Sequence, residues 1–82
     1  MKNITIEQIR KPTTRSSGMW LVRRGGSSGT ILGFLEKFKN DPETEHPWKA
    51  FLGHGVRAEY LGAFYEGQDA AVQAILTGKS KL

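Results

Sequence analysis

The chain has 82 residues, 38% of them hydrophobic and 24% charged, with a formal net charge of +4 and no cysteine. That length predicts one domain over 1–82 with a small core. The absence of thiols excludes a disulfide framework, a thiolate metal site and a cysteine nucleophile. MKNITIEQIRK has no apolar signal region and no run of eighteen apolar residues occurs anywhere, which leads us to expect a soluble, cytoplasmic protein.

In chain order, Ile4, Ile6 and Ile9 hint at alternation, favouring a strand over a helix for residues 3–9. Residues 1–18 then read as a loosely attached first strand and loop. Lys11 to Gly18 is polar and broken by Pro12 and Gly18. Met19-Trp20-Leu21-Val22 is a short apolar strand running into Arg23-Arg24, and Gly25-Gly26-Ser27-Ser28-Gly29 is a flexible connection. Thr30 to Lys39 reads as a long strand with Leu32, Phe34, Glu36 and Phe38 on one face. Ile31, Phe34, Leu35 and Phe38 also match helical spacing, but Gly29, Gly33, the β-branched Thr30-Ile31 pair and the aromatics favour the strand. Asn40 to Pro47 is an acidic loop that two prolines keep out of regular structure. Trp48 to Leu52 is the next strand, and Gly53-His54-Gly55 a turn.

The stretch from Arg57 to Gly78 closes the chain as strand, turn and helix. Leu61, Ala63 and Tyr65 should point one way from the strand, and Tyr60, Gly62 and Phe64 the other. Gly62 would let another backbone or a helix approach. Glu66-Gly67 breaks the strand, and Gln68-Asp69 opens a helix with a negative charge in its first turn. Ala71, Val72, Ile75 and Leu76 form its apolar face, and Gly78 is its left-handed stop. About three turns of helix cannot stand alone and must pack on a sheet. The class is therefore α+β: a twisted antiparallel sheet of four to five strands with one C-terminal helix on one face.

The charge is unevenly spread. Residues 1–24 hold six basic residues against Glu7 alone, leaving +5, whereas residues 25–82 hold six basic and seven acidic, leaving −1. A basic end meets nucleic acid or an acidic protein surface, or simply keeps the chain in solution. Trp20 and Trp48 lie beside basic residues and could stack on bases if exposed. In so small a core both are expected to be buried, with Trp48, after Pro47, the more exposed of the two.

Tyr60-Leu61-Gly62-x-Phe64, followed by Ala70-Ala71 in a short helix, resembles the end of the AP2 and phage-integrase arm-type DNA-binding module. Trp48-Lys49-Ala50-Phe51 resembles that family's tryptophan-bearing middle strand, with residues 30–39 as the first. The resemblance covers about half the chain. It implies a three-stranded antiparallel sheet, backed by one helix, that enters a DNA groove. The family's reading strands are rich in arginine, whereas this region offers Lys37, Lys39, Lys49 and Arg57, and the acidic loop 41–45 would lie near phosphates. The small, basic, cysteine-free chain also resembles accessory proteins of bacteriophages and prophages.

Other chemistry finds little support. Gly25 to Thr30 lacks the lysine and following helix of a phosphate loop, so it reads as a hairpin connection. Arg23-Arg24-Gly25-Gly26 is a single RGG-like copy. Glu43, Glu45, His46 and His54 match no metal-ligand spacing, and no rigid shell surrounds a nucleophile and base, so no metal, no cofactor and no enzyme are expected. Two functions remain. One is a nucleic-acid-binding accessory protein using Arg10, Lys11, Arg15, Arg23, Arg24, Lys37, Lys39, Trp48, Lys49 and Arg57. The other is an adaptor or inhibitor that docks on a protein partner through a sheet edge or an aromatic patch. The charge asymmetry favours the first.

Overall fold

The computed structural model describes residues 4–13, 15–26, 28–38 and 47–80. Its strands are β1 (Ile4–Arg10), β2 (Gly18–Arg24), β3 (Thr30–Lys37), β4 (Trp48–Leu52) and β5 (Glu59–Phe64), followed by α1 (Gln68–Thr77). They form a single sheet in sequence order, and every neighbouring pair is antiparallel. Each strand thus pairs with the one before it. α1 runs back over β3, β4 and β5. The architecture is α+β, with five strands and one C-terminal helix. No described helix is long and apolar enough to cross a membrane.

The helix is set by its ends and its inner face. Asp69 lies in the first turn, and Gly78 stops the helix at φ 68°, a left-handed conformation that costs glycine little. The Lys79 N–H then donates to the Ala74 carbonyl at 3.2 Å, satisfying one of the last free acceptors. Ala71, Val72 and Ile75 are buried as expected, but Ala74 completes the inner face and Leu76 is only partly buried. From the sheet, Val22, Leu35, Ala50, Leu61 and Phe64 meet this face. No polar or charged side chain among the described residues is buried with them.

Close contact between layers falls at Gly33. A Cβ at Gly33 would strike the Phe51 carbonyl oxygen and lie 2.9 Å from the Ile75 Cγ2 methyl. Glycine here lets the helix sit down on the centre of the sheet.

Three register shifts change the simple alternation. Gln8 pairs with Trp20 and Arg10 with Met19, leaving Ile9 over. Val22 pairs with Gly33 and Arg23 with Ile31, leaving Leu32 over. Ala50 pairs with Gly62 and Phe51 with Tyr60, leaving Leu61 over. An extra residue in one strand of a pair is a β-bulge, and it resets which way the next side chains point. Two expectations are corrected by this. Leu32 does not share a face with Phe34 and Glu36; it packs against the core, whereas Phe34 stacks on Phe51 on the other side. Leu61, Gly62 and Phe64 are all buried while Tyr60 is exposed, so β5 does not alternate through Tyr60 to Tyr65 as the sequence suggests.

Candidate nucleic-acid interface

The β1–β2 hairpin carries the basic excess. α1 packs beyond it, on β3 to β5, and five of the seven β1 residues are exposed. At one end, Thr13 organises the connection: its Oγ1 accepts from the N–H of Ser16 at 2.8 Å and from that of Arg15 at 3.1 Å. Arg15 is thereby presented, exposed, on a fixed turn beside the exposed Lys11. Arg10 holds the same turn from the strand side, donating from Nε to the Ser17 carbonyl at 2.7 Å and from Nη2 to the Ser17 hydroxyl at 3.3 Å.

At the other end Arg24 is exposed where β2 enters the Gly25–Gly29 connection. Its neighbour Arg23 has a different role. Its side chain is 19% exposed, its Nε lies 3.4 Å from Glu7 Oε1, and its Nη1 donates to the Gly29 carbonyl at 3.0 Å. It pins β1 and the β2–β3 connection together and has little charge left to offer.

The remaining candidates are dispersed. Lys49 is half-buried on the face away from α1, opposite Glu36. Arg57 is exposed at the end of the 3-10 turn Gly55–Arg57. Lys37 sits 5.5 Å over the Trp48 ring on the helix side. Trp48 packs edge-on against Trp20 at 4.8 Å, and both are half-buried against the core, so neither is fully buried and neither presents a free ring. Lys39 lies outside the described residues, as do Glu43, Glu45 and His46; His54 is exposed in the turn after β4. Among the described residues no group of three or more His, Cys, Asp or Glu could hold a metal ion.

The structure therefore does not unite the nine described candidates into one patch. Arg10, Lys11 and Arg15 gather at one end of the hairpin and Arg24 at the other, separated by six residues of strand, about 20 Å. Sequence reasoning passed over a row of rings on the helix-free face. Phe34 stacks on Phe51 at 4.5 Å and 6°, and Phe51 meets Tyr60 at 5.2 Å and 41°. The alternation of Lys49 and Phe51 against Trp48, Ala50 and Leu52 was the available signal. Set beside protein families, curated proteins and solved structures, the chain matches none.

Proposed function

We propose that the chain is a small, non-enzymatic nucleic-acid-binding protein, of the accessory or regulatory kind its sequence resembles, and that the β1–β2 hairpin is its contact surface. The observation that carries this reading is the charge of the hairpin and its distribution. Residues 4–24 hold five basic residues and one acid, Glu7, which is already paired with Arg23. Lys11 and Arg15 at one end and Arg24 at the other are exposed. β1 and β2 form the margin of the five-stranded sheet, and basic ends about 20 Å apart would reach phosphates on both sides of a groove about 12 Å wide. Lys11, Arg15 and Arg24 are then the phosphate contacts, while Arg10 and Arg23 shape the ribbon.

Fluorescence anisotropy with a labelled duplex across a salt series tests this. Each lost phosphate contact makes the slope of log affinity against log salt shallower by about 0.9 on duplex and roughly 0.7 on a single strand. Replacing Lys11, Arg15 and Arg24 together by glutamine should flatten the duplex slope by up to about 2.7 and leave cooperative melting intact. No wild-type binding at low salt, or an unchanged slope in the triple variant, sinks the reading. In that event the edge of β1 favours the second one. It is a seven-residue strand at the sheet margin with Ile9 50% exposed, a geometry to which an extended segment of a protein partner can add.

A further inference from the structure

The face of the sheet opposite α1 has the wrong composition for a solvated surface. An antiparallel sheet packed on one side normally turns polar residues outward on the other. Here the registers align Leu21, Phe34, Phe51 and Tyr60 in one row across four strands. Ile31, opposite Arg23, flanks the row on one side, and Met19, opposite Glu36, flanks it on the other. Among the described elements only α1 packs on the sheet, and it covers the other face.

Two observations decide what this face accepts. First, its charges nearly cancel: Glu7 and Glu36 stand against Arg23 and Lys49, each acid beside a base, and Arg10, opposite Met19 at the rim, is held by the Ser17 carbonyl. Most of the chain's positive excess lies elsewhere, at the ends of the hairpin, so a polyanion laid on this face would meet two carboxylates with little net attraction. Second, Phe34, Phe51 and Tyr60 already lean on one another. Bases need free ring faces to stack on, whereas here Phe34 and Phe51 stack on each other and Tyr60 leans on Phe51.

We propose that the open face pairs with the same face of a second copy of this chain. A surface with nearly balanced charges of both signs around an apolar ridge can be complementary to itself, as a two-fold interface requires. Two such faces pack as a sandwich with the sheets about 10 Å apart. The dimensions suffice. Five strands about 4.8 Å apart and six residues deep make a face of roughly 24 by 20 Å, so two copies would cover on the order of 1,000 Å², the lower bound for a specific interface. An interface near that lower bound is expected to be weak and reversible.

Sedimentation of the nuclease-treated full chain, from about 1 to 500 µM to bracket such an affinity, reads the outcome. The mass should rise from 9.1 kDa toward twice that value. The rise should persist at high salt, because apolar burial is not screened as charge contacts are. Phe51→Glu, at the centre of the row, should hold the chain at monomer mass. Tyr60→Lys, at the exposed end of the row, should shift the midpoint at least tenfold higher in concentration, and it keeps the test decisive if Phe51→Glu fails to melt cooperatively. Val56→Lys, at a fully exposed apolar residue away from the sheet face, should leave the mass unchanged. A chain that stays at 9.1 kDa throughout overturns the proposal, as does a dimer whose midpoint Tyr60→Lys leaves unchanged or that is lost with Val56→Lys. Failure here leaves the salt-slope test of the hairpin untouched, since that test reads a different surface.

Discussion

Ile75 is where the two layers of this fold can be separated most cleanly. It is 3% exposed, faces Gly33 at the centre of the sheet, and belongs to a core with no buried polar group among the described residues. Truncating a buried isoleucine to alanine costs about 2–5 kcal/mol in lost transfer energy and residual cavity. At 0.05–0.15 kcal/mol per residue, a chain of this length has roughly 4–12 kcal/mol in all. Ile75→Ala should therefore lower the melting midpoint by roughly 8–40 °C, given about 4–8 °C per kcal/mol in domains of this size. Ile75→Asp adds a carboxylate with no partner to receive it, a further several kcal/mol, and should abolish the cooperative transition. Gln73→Glu, exposed on the same helix, should stay within about 0.5 kcal/mol of wild type. Circular dichroism melts of the three variants make the test. If Ile75→Asp melts cooperatively within a few degrees of wild type, α1 does not seal the sheet and the account of the core is wrong.

Two further changes probe the backbone. Gly33→Ala forces a methyl against the Phe51 carbonyl and the Ile75 side chain, so it should cost about 1–3 kcal/mol by overpacking. Adding Ile75→Val should recover only part of that in urea titrations, because the carbonyl cannot retreat as the side chain can. Gly78→Ala places a Cβ at φ 68° and should destabilise by about 1–2 kcal/mol, with helicity lost first in the last turn; a neutral result would mean the helix end is not held by its left-handed stop.

Much of this fold could be read before the structure. Gly67 and Gly78 bracket a run of strong helix formers, and the alternation of Trp48, Ala50 and Leu52 marks an inward face. The strand at 30–37 and the hairpin connection before it also follow from β-branched residues between glycines. What could not be read were the bulges. A register shift depends on how two strands share hydrogen bonds, which neither strand encodes alone. Leu32 and Leu61 each sit one position out of phase with their neighbours, and the expected alternation from Leu32 to Phe34 and from Tyr60 through Leu61 failed just there. The same cause hid the aromatic row. Phe34, Phe51 and Tyr60 come from three strands whose side-by-side placement depends on the shift between Ala50 and Phe51. The roles of Arg10 and Arg23 were hidden for another reason. Their carbonyl partners, at Ser17 and Gly29, lie in turns whose shape no local pattern specifies.

The two surfaces place opposite demands on salt, and this lets them coexist in one small chain. The hairpin holds Lys11, Arg15 and Arg24 at its ends, clear of the balanced Glu7–Arg23 and Glu36–Lys49 pairs on the open face. Contacts with phosphate weaken steeply as salt rises, while the apolar ridge is indifferent to it. A second copy docked on the ridge would carry a second set of ribbon ends. Its binding to the same duplex would then be intramolecular, raising affinity without any new kind of contact, provided the two ribbons can reach one duplex together. Their combined phosphate contacts would steepen the salt dependence beyond that of one hairpin. Above the dimer midpoint the slope should therefore be larger than below it, and Tyr60→Lys should return the steep slope to the shallow one while Lys11, Arg15 and Arg24 are left in place. A slope that does not change with protein concentration would mean that the ridge and the ribbon act independently.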